Sequence, residues 1–144
     1  MSPLDAAILR RKLQHIITSL DRLRPISRLT LQEYHERFYE RKAAERLLQE
    51  AVEAALDINA HVIAELGKDI PEDYYGRFLK MGELGVVPPD LAHSLAGSAG
   101  LRNRLVNEYE TIDDARVLDA ITTLLETYPR YIQALETYMA KSGL

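Results

Sequence analysis

The sequence contains no cysteine, no tryptophan and only two phenylalanines. Without thiols it can form neither a disulfide nor a thiolate metal site, and that lack fits a reducing cytoplasm. It also lacks any run approaching the roughly 18 apolar residues that a membrane-spanning helix needs, so no membrane association is expected. The opening MSPLDAAILRRKLQ puts an acid and then a basic cluster where a signal peptide would carry an apolar stretch. Export is therefore not expected, and a cytoplasmic location is. The four histidines, His15, His35, His61 and His93, show no i, i+4 spacing of the kind that holds a metal on one helix face. Neither a metal nor another cofactor is implied.

What is there suits a soluble globular chain. With 47% apolar and 28% charged residues, its 144 residues are enough for one domain, spanning 1–144, and too few for two ordinary ones. The net charge of −4 argues against a general nucleic-acid binder, but it is unevenly spread. Residues 1–46 hold ten Lys and Arg against six Asp and Glu, while residues 47–144 hold eight against sixteen. A basic N-terminal part could supply phosphate contacts to RNA, or its arginines could lie on solvated helix faces.

Almost the whole chain reads as helix. Leu9, Leu13, Ile16, Ile17, Leu20 and Leu23 repeat at helical spacing after a Ser2-Pro3 start and run until Pro25. Thr30-Leu31-Gln32-Glu33 is a capping box, and it predicts one long helix from there to Leu66, closed by Gly67. Residues 31–46 of such a helix would project beyond a compact bundle. Tyr34, Phe38 and Tyr39 would then meet either the first helix or a second copy of the chain. A short helix is predicted over 73–84, ended by Gly85-Val86-Val87-Pro88-Pro89, and a fourth starts at Pro89 or Asp90. Thr111 or Asp113 caps a last helix with the apolar stripe Val117, Ile121, Leu124, Tyr128, Ile132, Leu135 and Met139. Pro129 inside it predicts a kink or a division. The fold class is all-α, an antiparallel up-down bundle of four main helices plus a short one.

The penultimate main helix ends in GLRNRLVNEYETID, residues 100–113, which sets Arg102, Asn103, Asn107 and Tyr109 close together in sequence. This string resembles the signature of the HEPN ribonuclease family, an Arg followed after four to six residues by His. HepT-type members extend it to R-x4-H-x-Y, usually with Asn after the Arg. Arg46-Leu47-Leu48-Gln49-Glu50-Ala51 resembles the family's entry into its core helix. Gly82-Glu83-Leu84-Gly85-Val86-Val87-Pro88 with Leu91-Ala92 resembles its central connection. The resemblance covers about residues 43–125, and it departs from the family pattern at one place: Asn107 stands where His is expected.

The residue types fit RNA cleavage by the ribose 2′-hydroxyl. That reaction needs a base, an acid and a cation over the phosphate as charge builds. Histidine, with an ordinary pKa near 6.5, suits proton transfer, and arginine's planar fork suits the phosphate. Asn107 cannot titrate, so this chain is read as a catalytically inactive form, whether by deliberate replacement or as a naturally silent homologue. Around an ideal helix at about 100° per residue, Tyr109 lies about 20° from Arg102 and position 107 about 140° away. Two copies about a two-fold axis could therefore bring Arg102 and position 107 to one phosphate. This matches the composite homodimer site that the resemblance implies.

The resemblance further implies the toxin of a type VII-like toxin–antitoxin pair, a metal-independent endoribonuclease acting on RNA, with transfer RNA as the expected substrate. Its partner would be a minimal nucleotidyltransferase antitoxin that transfers AMP to Tyr109. Arg102 would bind the scissile phosphate, Asn103 would orient it, position 107 would serve acid/base catalysis when it is His, and Arg104 could help hold RNA. Tyr74 and Tyr75 could stack bases or pack in the interior. Glu108, Glu110, Asp113 and Asp114 could form a carboxylate cluster, but read better as caps and first-turn acids of the last helix. A second hypothesis, favoured by Asn107, is a non-catalytic helical module that engages a nucleotidyltransferase or a nucleotide.

Overall fold

The computed structural model describes residues 3–143, apart from the side chains of Pro3, Leu4 and Tyr109. The expected Ser2 cap lies outside the described residues. Helix α1 runs over Pro3–Ser27, α2 over Leu31–Glu36, α3 over Phe38–Glu65, α4 over Tyr74–Glu83, α5 over Pro89–Asn107 and α6 over Asp114–Lys141. A 3-10 turn at Tyr109–Thr111 joins the last two. The all-α bundle is as expected, with one more helix than the sequence periodicity indicates. No helix of the described residues is long and apolar enough to cross a membrane.

The added boundary falls at Arg37. The capping box forms as read: Thr30 Oγ1 accepts from Glu33 N at 3.1 Å, and Glu33 Oε1 accepts from Thr30 N at 2.9 Å. These bonds hold the Glu33 carboxyl below the usual carboxylate range. Seven residues after Thr30 the chain turns out of helix, with Arg37 at φ −99 and ψ 88. No Gly or Pro signals this break. Its physical reason is Tyr34, which is fully buried while α2 packs on α3 and α6. A straight helix through Arg37 could not both continue α3 and turn that ring inward, and burying an aromatic side chain outweighs a broken turn. Phe38 and Tyr39, 54% and 82% exposed, stay outside with Leu31. The aromatic side of this segment is thus divided, one ring in the core and two in solvent.

Neither Pro25 nor Pro129 ends its helix. Helix α1 continues past Pro25 to Ser27, where Ser27 Oγ donates to Arg24 O at 2.6 Å and Ile26 is buried. Helix α6 is not divided at Pro129, because Tyr128, Tyr131 and Ile132 on either side are all in the core. That burial offsets the roughly 3 kcal/mol that an interior proline costs a helix.

Helix α3 lies at the centre, touching every other α-helix. Its buried stripe of Ala44, Leu48, Ala51, Ala54, Ala55, Ile58 and Val62 alternates small and large side chains, and the alanines let neighbours come close. One buried polar link crosses it: the Tyr131 hydroxyl donates to Asn59 Oδ1 at 2.6 Å and lies 3.2 Å from Ala55 O. Burial pushes the Tyr131 phenol well above its ordinary pKa, so it stays a neutral donor. Helix α3 ends as expected at Gly67, in the left-handed region at φ +73, where Lys68 N donates to Ile63 O at 3.1 Å.

Helix α4 lies closely along α5, which fixes where the site's second wall stands. Gly82 makes this possible: a Cβ there would come within 2.8 Å of Ala92 Cβ and 3.3 Å of Pro89 Cα. Gly82→Ala should destabilise the fold by about 1–3 kcal/mol, because neither neighbour is a flexible chain end. Urea unfolding checks this, and adding Ala92→Gly should recover part of the loss. A single variant as stable as the parent would show that the α4–α5 contact is looser than described.

Candidate active site

The RNRLVNEY segment occupies the last two turns of α5 and the linker beyond it. Leu101 and Leu105 face the core and fix the rotation of the helix. Arg102 is thereby left half-buried, and Asn103, Arg104 and Asn107 are exposed. Asn107 is the last residue of α5; the backbone leaves the helix at Glu108, with φ −128 and ψ 32. Tyr109 therefore starts a 3-10 turn, and the 20° separation expected on a continuous helix does not apply to it. The angular argument survives for Arg102 and Asn107, which share α5. The Tyr109 side chain lies outside the described ones.

Arg102 is the best-held group of the set. Its Nε is buried and lies 3.5 Å from Glu53 Oε1 on α3, an ionic contact whose geometry falls short of a hydrogen bond. Its guanidinium carbon sits 5.2 Å from the centre of the Tyr74 ring on α4, within cation–π range. On its own helix, Nη1 donates to Asn103 Oδ1 at 3.5 Å, the longest distance such a bond allows. The side chain keeps 22% of its surface exposed. Three helices thus aim one permanent cation at solvent with part of its charge balanced, an arrangement suited to receiving an oxyanion. Of the residues singled out in the sequence, Arg102, Asn103 and Tyr74 are brought together.

Beside the motif's end, a cavity of about 170 Å³ opens between α5 and α6. Arg104, Glu108, Thr111, Asp113 and Arg116 line its polar side. Asp113 caps α6 as expected, accepting from Ala115 N at 2.9 Å. Asp114 is in the first turn and meets His35 Nδ1 at 2.7 Å, which ties α2 to this end of the bundle.

Glu53 has no place in the motif, and its one signal in sequence is an acid inside the otherwise apolar run Ala51-Val52-Glu53-Ala54-Ala55-Leu56. Tyr74 is half-buried and packs against two arginines, while Tyr75 is 48% exposed. The basic N-terminal part divides its charge among surface pairs. Lys12 meets Asp57 at 3.1 Å, Arg46 meets Glu50 at 2.7 Å, and Arg24, Arg37 and Lys42 each have an acid three or four residues away. For these five residues the pairing is that of solvated helix faces. No three His, Asp or Glu side chains among the described residues converge as metal ligands.

The model of the family described as "Ribonuclease HepT-like" matches residues 16–135. The chain belongs to that HepT-like family. A tRNA nuclease HepT from Aphanizomenon flos-aquae is 34% identical over 139 residues, covering 96% of this chain and 95% of that one. Among solved structures, the tri-AMPylated Shewanella oneidensis HEPN toxin in complex with MNT antitoxin superposes with a TM-score of 0.81 at 20% identity. It covers 95% of this chain and 99% of its own. The cytosolic protein YutE from Bacillus subtilis, of unknown function, gives a TM-score of 0.84 at 16% identity, covering 96% of this chain and 92% of its own. At those identities the two structures establish a shared HEPN-like helical fold.

Within this HepT-like fold the Glu53–Arg102 pair is partly screened by solvent, so its contribution to stability is small. A double-mutant cycle with Glu53→Gln and Arg102→Gln should give a coupling of about 0.5–1 kcal/mol by urea unfolding. Additive losses would mean that the two side chains do not meet in solution.

Proposed function

We propose that the chain is the toxin component of a toxin–antitoxin pair, a metal-independent endoribonuclease whose expected substrate is transfer RNA, present here in a catalytically inactive form. The observation that carries this reading is Arg102, held by Glu53 and Tyr74 with part of its surface open, at the head of the family's motif. The name of the Aphanizomenon relative supports the choice of transfer RNA.

In the active form, a base takes the proton from the ribose 2′-hydroxyl as its oxygen bonds to phosphorus. The bond from phosphorus to the 5′ oxygen breaks, and an acid protonates that leaving oxygen. The products are a cyclic 2′,3′-phosphate and a free 5′-hydroxyl. Arg102 binds the phosphate and neutralises charge gathering on its oxygens, Asn103 orients it, and a histidine at 107 moves the proton. Arg104, exposed one residue beyond Asn103, adds a contact to RNA. Arg102 and position 107 diverge by about 140° on one helix, so the complete site uses two copies of the chain in a homodimer.

The same reading makes Tyr109 the control point. A partner nucleotidyltransferase transfers AMP from ATP to the phenol oxygen, with pyrophosphate leaving. The added phosphate then competes with RNA for Arg102. The tri-AMPylated state of the Shewanella toxin with its MNT antitoxin supports this assignment. Asn107 favours one other reading, a non-catalytic module that binds such a transferase.

Asn107→His should raise RNA cleavage by about 10²–10⁴-fold and inhibit growth on expression, and adding Arg102→Ala should abolish both. A restored chain that neither cuts RNA nor slows growth leaves the binding-module reading standing. Separately, co-expression with a minimal nucleotidyltransferase of the MNT type should add the mass of AMP at Tyr109, and Tyr109→Phe should accept none there.

A further inference from the structure

The Tyr74 ring carries a second cation that the proposed chemistry does not use. Arg77, one turn along α4, places its guanidinium carbon 5.0 Å from the ring centre, against 5.2 Å for Arg102. The two charges are therefore no further apart than the sum of those distances. Their situations differ. Arg102 shares its charge with Glu53, whereas Arg77 makes no ion pair among the described residues and donates from Nε to Pro71 O at 3.0 Å. That bond fixes the plane of the fork and leaves its outer nitrogens for another acceptor.

The local carboxylate is already engaged: Asp73 accepts from Gly76 N at 2.8 Å as the cap of α4. Asp69 and Glu72 on the preceding loop are exposed and weaken any long-range attraction, so an anion here must be held by contact. Tyr75, the next residue on α4, is 48% exposed. Two arginines ordered on one ring present two cationic forks, the chemistry that receives successive phosphates of a nucleic-acid backbone.

We infer that Tyr74 and Arg77 form a second phosphate subsite, next to Arg102, for the nucleotide adjoining the scissile bond of single-stranded RNA. The inference rests on the ribonuclease reading above. Arg77 contacts the neighbouring phosphate, and Tyr74 sets the spacing of the two guanidiniums. The same phosphate chemistry is offered by free nucleotides, so the test must separate the two sources.

Because Asn107 silences cutting, binding of an oligouridylate can be measured on the chain as it stands, at several salt concentrations, alongside AMP and ATP. Arg77→Gln should weaken RNA binding roughly tenfold at low salt and lower the slope of log K against log salt by about 0.7, one phosphate contact fewer. Tyr74→Leu should weaken binding comparably, whereas Tyr74→Phe, which keeps the ring, should bind nearly as the parent does. Arg77→Lys keeps the charge without the fork, so it should retain the slope with reduced affinity; this arm serves if Arg77→Gln fails to fold. The subsite is refuted, with the ribonuclease reading intact, if Arg102→Ala weakens RNA binding while Arg77→Gln changes neither affinity nor slope. It is also refuted if Arg77→Gln weakens AMP or ATP as much as RNA, or weakens only the complex with the transferase partner. A parent chain that binds no RNA sinks both ideas together.

Discussion

The structure depends on one helix being slim enough to be surrounded. Helix α3 touches all five other α-helices, and its buried face alternates alanines with leucine, isoleucine and valine. Replacing those alanines by larger side chains would push the neighbours out and lose the dense contacts that a close-packed core provides. The same closeness brings Glu53 on α3 within reach of Arg102 on α5, and Asn59 within reach of Tyr131 on α6. The core and the candidate site thus share a cause.

Arg102 shows how a solvated cation becomes a directed one. Leucines 101 and 105 rotate α5, Gly82 lets α4 lie against it, and Tyr74 then has a place beside the guanidinium. Each contact alone is worth little, because exposed ion pairs and cation–π contacts are each on the order of 1 kcal/mol or less. Together they restrict one flexible side chain to one direction. An arginine so restricted loses less conformational entropy when it meets an anion.

The packed interior leaves some buried polar groups incomplete. The hydroxyls of Tyr34 and Tyr128 are buried without a hydrogen-bond partner in the described structure, and burial pushes both phenols above their ordinary pKa. Tyr128 lies near Ser98, whose hydroxyl instead donates to Leu95 O at 2.5 Å. For Tyr34 the ring's burial offsets the unmet hydroxyl, and its packing is what breaks the helix at Arg37.

The sequence by itself determined the helical class, the capping box at Thr30, the Gly67 stop, the apolar stripes and the family's motif, and it narrowed the cap of the last helix to Thr111 or Asp113. These are local matters, decided by spacing along one helix or by the backbone needs of one turn. Three features were decided only by the tertiary structure. The chain breaks at Arg37 because Tyr34 must reach a core built by distant segments. The helices run past Pro25 and Pro129 because burial on both sides exceeds the local cost of proline. Arg102 gains Glu53 and Tyr74 as companions because α3 and α4 approach it through space, although those residues stand 49 and 28 positions away along the chain. Periodicity reports which face of a helix is apolar. Which other helix covers that face, and what its polar residues then meet, follows only once the helices have packed.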